Sequence, residues 1–212
     1  MNFYSSIPEA DCKLCPRLVN FREENRLRFP EWHNGPVASF GSISSHLLIV
    51  GLAPGLKGAN RTGRPFTGDV AGNLLYPTLM RFGLARGRFR ASINDSIELV
   101  NCRITNAVRC VPPQNKVTGP ETTACLPFLK NEISMMKNLR VVFALGGVAH
   151  GAVLNAFDIK KSTFPFSHGA RHELRCKLTL IDSYHCSRYN TNTGRLTTKM
   201  FDKVLKDVAS LL

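Results

Sequence analysis

"HLLIVGLAPGLKGANRTGRPFTGD", residues 46–69, decides the fold. Its first part, Leu47 to Val50, is a short continuous apolar run of the kind a buried strand needs. The rest, from Gly51 to Asp69, is broken by glycines and two prolines and cannot easily continue as strand or helix. Glycine loses the most backbone freedom on folding, so such a loop is costly to order. A loop of this kind persists where a backbone must come close to something.

Outward from this stretch, apolar strand-like runs alternate with amphipathic ones. Strands are expected within 46–52, 97–108 ("IELVNCRITNAV"), 140–147 ("RVVFALGG") and 174–185 ("LRCKLTLIDSYH"). Helices are expected at 71–84, ending near Gly83, at 119–139, at 148–157 and over the C-terminal 197–212. Pro120 and Glu121 suit a helical first turn. This alternation predicts an α/β fold: one domain over 1–212, with a central, mostly parallel four-stranded sheet flanked by helices. In such sheets, sites form beyond the carboxyl ends of the strands. The opening loop sits there, and so do "TNAVRCVPPQNK" (105–116) and "SYHCSRYNTNTGRL" (183–196).

Lys and Arg outnumber Asp and Glu by 28 to 15, a net charge of +13 spread along the chain. A folded basic domain suits a polyanionic partner, most often nucleic acid. One dense stretch, "MRFGLARGRFRASI", carries Arg81, Arg86, Arg88 and Arg90, which suit a phosphate backbone or a solvated helix end. No apolar run is long enough to cross a membrane. The first residues, "MNFYSSIPEADCKLC", lack the basic-then-apolar order of a secretory signal, so the cytoplasm is the expected compartment.

The seven cysteines are an odd number, and no disulfide framework is expected. Cys12 and Cys15 form a C-x2-C pair, and Cys110 and Cys125 lie far downstream. Together they can make a four-thiolate site suited to zinc or an iron–sulfur cluster; the bland reading is two pairs of free thiols. Cys102 and Cys176 read as buried apolar residues.

The loop is not a nucleotide cradle: neither G-x4-G-K-[ST] nor G-x-G-x-x-G is present after the strand. "RPFTGD" instead offers an aromatic face at Phe66, backbone donors at Thr67 and Gly68, and a carboxylate at Asp69. A ring with polar edges suits a flipped nucleobase. Taken singly, Phe66 also fits a core position, and Asp69 a helix N-cap before "VAGNLLYPTL".

These segments together resemble the iron–sulfur uracil-DNA glycosylases. "GLAPG…GRPFTGD" is similar to their motif 1, and "SYHCSRYNTNTGRL" to motif 2, with its histidine at His185. "ITNAVRCVPPQNK" is similar to the segment between them, and the likeness spans residue 12 to about 198. Leu52 replaces the acid of the family 4 G-E-A-P-G motif; "GLAP", "GANRTG" and "NTNTGRL" resemble family 5, the UDGb type, which lacks the usual polar motif 1 residue and accepts a broader set of deaminated bases. The K-R-R-I-H insertion of a crosslinking branch is absent.

The resemblance implies the three-layer uracil-DNA glycosylase fold and hydrolysis of the N-glycosidic bond to uracil in base excision repair. It implies a [4Fe-4S] cluster on Cys12, Cys15, Cys110 and Cys125, stapling the N-terminal segment without redox work. His185 is expected to donate to uracil O2, and Asp69 to position water and stabilise the cationic sugar. Gly51, Ala53 and Phe66 would surround the base, with Phe66 stacking on it. Asn106 can read its pairing edge, and Asn115 is a second candidate. Ser187, Arg188 and Tyr189 would contact DNA, Tyr189 as a wedge, although Asn190 to Arg195 also fits a mere turn. The partner is uracil-containing DNA, met by a monomer in the cytoplasm, or at the nucleoid of a prokaryote. Two other readings are a non-catalytic binder of uracil or abasic DNA, and a zinc enzyme acting on free nucleotides.

Overall fold

The computed structural model describes residues 5–212, except the side chain of Cys176. The reading of Cys176 as a buried residue therefore lies outside the described residues. Cys102 is fully buried, as expected.

Helix α1 (Pro16–Arg28) leads into β1 (Leu47–Gly51), the short helix α2 (Ala59–Thr62) and α3 (Val70–Arg81). A small hairpin, β2 (Ala85–Arg86) and β3 (Glu98–Leu99), precedes β4 (Cys102–Asn106) and α4 (Gly119–Met135). Then come β5 (Val141–Leu145), α5 (Gly147–Ala156), β6 (Arg171–Glu173), β7 (Thr179–Ser183), α6 (Arg188–Asn192) and α7 (Thr198–Ala209).

The main sheet has the order β4-β1-β5-β7-β6. The first four are parallel, with Leu47 beside both Cys102 and Val141, and Val141 beside Thr179. The expected four-stranded sheet is corrected to five: β6 adds an antiparallel edge on β7. Its sequence, "RHE", has none of the apolar signature of the other strands, because an edge strand is wetted on one side. Successive side chains of β1 point to opposite faces. Leu47 and Ile49 meet Leu75 and Leu79 of α3 and Phe201 and Leu205 of α7. Leu48 and Val50 meet Leu129 of α4 and Ala152 and Val153 of α5. The sheet is thus covered on both faces, which explains why its strands read as unbroken apolar runs.

Helix α1 has no counterpart in the sequence reading. Its residues "PRLVNFREENRLR" show little apolar face, and its buried positions are Leu18, Arg22 and Asn25. It is fastened by polar contacts instead. Arg17 donates to both oxygens of Glu121 at 2.7 and 2.8 Å. Glu121 also closes the capping box of α4 with Thr118. Among the described residues, no helix is long and apolar enough to cross a membrane.

Candidate active site

Parallel pairing puts Gly51, the last residue of β1, beside Asn106, the last of β4. A side chain at Gly51 would collide with Oδ1 of Asn106 and come within 2.6 Å of Phe66 Cζ. Glycine is therefore required at this strand end, so that the ring and the amide can close over it. Asn106 as a residue is only 3% exposed, and its side chain makes no hydrogen bond with a described residue. Its polar atoms are not fully buried, so the open amide edge can be met from outside.

Phe66 sits in the left-handed region at φ 52°, strain that a non-glycine residue adopts only when its surroundings impose it. The surroundings are visible. Tyr76 donates to the carbonyl of Pro65 at 2.8 Å, and Arg64 donates from Nε to Thr67 Oγ1 at 2.8 Å. Gly72 leaves room for the Phe66 carbonyl, which any side chain there would strike.

His185 follows β7 and stacks near Phe66, ring centroids 5.9 Å apart and 26° from parallel. Its Nδ1 is buried without a partner. Burial drives its pKa down to about 4, so the ring is neutral near pH 7. Gly146, at φ 95° after β5, takes a backbone conformation that favours glycine, and the His185 Cβ lies in ordinary contact range beside it. Asn190 of α6 donates to the His185 carbonyl at 2.8 Å. Asn190 lies in the motif 2 stretch that also fits a mere turn; a short helix pinning the histidine has no strong sequence signal.

Asp69 is the N-cap of α3 and accepts from the Gly72 N–H at 3.1 Å. Its other oxygen lies over Gly55 and Gly58, where side chains would meet it. Burial raises its pKa above the ordinary carboxylate value, opposed by bonds from Gly72 and Ala71. The cap reading holds at this residue.

The other expected contacts are distributed. Ala53 packs against the small buried cluster of Leu18, Val108 and Cys125. Asn115 lies on an exposed turn at φ 56°, and its side chain makes no hydrogen bond with a described residue. Ser187 caps α6, where Arg188 is exposed and Tyr189 is 71% exposed.

Cys12, Cys15, Cys110 and Cys125 line one pocket, walled by Leu18, Val19, Val108 and Phe128. Burial and then the neighbouring sulfurs push the Cys15 thiol up to about 11 and Cys110 up to about 12. Cys125 is also raised, by burial first, against the pull of Arg109, whose N–H meets its sulfur at 3.3 Å. Thiols raised this way become thiolates when a cation joins them. Ala53, two residues beyond Gly51, connects this pocket to the site loop.

Comparison with known proteins gives a consistent picture. The family model described as "Uracil DNA glycosylase superfamily" matches residues 38–209. A "Type-5 uracil-DNA glycosylase" of Thermus thermophilus is 45% identical over 206 residues, 94% of this chain and 93% of that one. One from Mycobacterium leprae is 41% identical, covering 97% and 96%. One from Pyrobaculum aerophilum is 36% identical, covering 95% and 89%.

Proposed function

The chain belongs to the uracil-DNA glycosylase superfamily, and from that premise we propose how its pocket removes uracil from DNA. The observation that carries the reading is the unpartnered Asn106 amide facing the Phe66 ring across Gly51, with His185 alongside. A flipped uracil stacks on Phe66 and gives its pairing edge to Asn106, which both donates and accepts. A non-catalytic binder needs no more than this. His185 and Asp69 add the chemistry.

As the C1′–N1 bond breaks, its electron pair leaves with uracil and spreads to O2. Neutral His185 donates an N–H to that oxygen, a contact that strengthens only as the charge develops. The sugar becomes cationic, and the Asp69 carboxylate stabilises it. A water oxygen bonds to C1′, one water proton passes to Asp69, and the abasic sugar is left. The raised pKa of Asp69 makes it a better proton acceptor than an ordinary carboxylate. The reaction is hydrolytic, with no strand cleavage. Leu52 stands where the family 4 motif has an acid, and the pocket also takes other deaminated bases.

The four-cysteine pocket suits a [4Fe-4S] cluster held by Cys12, Cys15, Cys110 and Cys125. A single zinc at a Zn–S distance of about 2.3 Å needs sulfurs about 3.8 Å apart. Among the described residues, the trio of ligand atoms within 4.8 Å is His150, His172 and Asp182, so the four sulfurs are spread more widely than zinc needs. The cluster's contribution is a crosslink between the N-terminal segment and α4. The protein works on DNA as a monomer in the cytoplasm or at the nucleoid.

Incubation with a uracil-containing duplex tests the reading. The expected product is free uracil and a strand that breaks only after alkali. Tight binding without base release would instead make the protein a binder.

A further inference from the structure

The hairpin formed by β2 and β3 is not used by the chemistry above, and it carries the densest basic stretch of the chain. Residues 85–99 hold Arg86, Arg88 and Arg90 against Asp95 and Glu98. Arg86 is already paired with Glu98 at 2.7 Å. Asp95 is also spent: its carboxylate, with no side-chain exposure, pairs with Arg64 at 2.8 Å. Arg88 and Arg90 are exposed, and their side chains have no hydrogen-bond or ion-pair partner among the described residues. Ile93 stands 57% exposed at the tip beside them.

The hairpin is also fixed to the base pocket. Arg64, two residues before Phe66, donates to the Ser92 carbonyl and to Asp95, both at 2.9 Å. Asp95 in turn accepts the Arg90 N–H at 2.9 Å. Phe89 stacks on Tyr76 at 4.5 Å, and Tyr76 holds the Pro65 carbonyl. Two uncompensated cations are thus carried on a rigid arm anchored to the residues that shape Phe66.

We propose that this hairpin is a DNA-backbone docking arm, with Arg88 and Arg90 seated on phosphates flanking the flipped nucleotide and Ile93 against the adjoining groove. Phosphate contacts of this kind fix register without reading sequence. The proposal extends the DNA reading to a surface, and it concerns binding rather than base release.

The test is the salt dependence of affinity for a uracil-containing duplex. It compares wild type, Arg88→Gln/Arg90→Gln, and a charge-matched control, Lys137→Gln/Lys177→Gln. Lys137 and Lys177 precede β5 and β7 at the opposite, amino ends of the strands. None of the four side chains makes a described hydrogen bond, so all variants should melt near the wild-type temperature. Each phosphate contact contributes about 0.9 to the slope of log K against log salt. Loss of both arginines should flatten the slope by about 1.8, while the control keeps it. An arginine variant with the same slope as the control would overturn the docking arm. Failure of all three proteins to release uracil, with the slopes still differing, would count against the catalytic reading and leave the arm standing.

Discussion

Asp69 caps α3 through the Gly72 N–H while its other oxygen lies over Gly55 and Gly58. Asn caps a helix about as well as Asp, whereas Ala forfeits about 1 kcal/mol. Asp69→Asn should therefore lose most base release without losing stability near pH 7. The sign follows from the raised pKa: the folded state disfavours the carboxylate, so removing its charge removes a cost that is present above the ordinary carboxylate pKa. The same shift moves the acid limb of the rate profile upward from the ordinary carboxylate value. Rate profiles and melting curves of the Asn and Ala variants check both points. Wild-type rates in Asp69→Asn would leave the residue as a cap alone. At this scale the sequence was informative where a side chain acts through its own chemistry. Phe66, Asp69, Asn106 and His185 were all singled out. Asn190 was not, because it acts by holding His185, and a holding contact depends on where the chain turns in space.

Among the elements, β1 and β4 make the site because their ends are in register. Gly51→Ala tests that placement. The added methyl would meet Asn106 and Phe66, and overpacking of this kind costs about 1–3 kcal/mol. The fold should survive at reduced stability, and uracil release should fall sharply because the pocket no longer closes. Circular dichroism, melting and single-turnover rates separate these effects; unimpaired release would contradict the placement of Phe66 over the strand end. The buried strands were legible from periodicity. Helix α1 was not, since Arg22 and Asn25 occupy buried positions where an apolar residue would have signalled a face. Strand β6 escaped for the same reason: its "RHE" draws on pairing with β7 rather than on apolar burial.

For the whole molecule, the cysteine pocket joins segments separated by about a hundred residues of chain. Cys12 and Cys15 precede α1, Cys110 follows β4, and Cys125 lies in α4. Cys12→Ser or Cys125→Ser should lose iron and visible absorbance and lower the melting temperature, because a ligand is removed from a site whose occupancy is linked to folding. Full iron content in either variant would remove that cysteine from the ligand set. The C-x2-C spacing marks one half of this pocket, the resemblance adds Cys110 and Cys125, and tertiary packing brings all four to one pocket. The same packing sets Ala53, in the loop after β1, against Leu18, Val108 and Cys125. The most direct measurement of the account is the single-turnover rate of uracil release by His185→Ala at saturating enzyme, beside its affinity for the same duplex. The predicted result is a rate lower by about 10²–10³ with affinity nearly unchanged, since the donor acts on charge that exists only near the transition state. A wild-type rate, or a loss confined to binding, would contradict it.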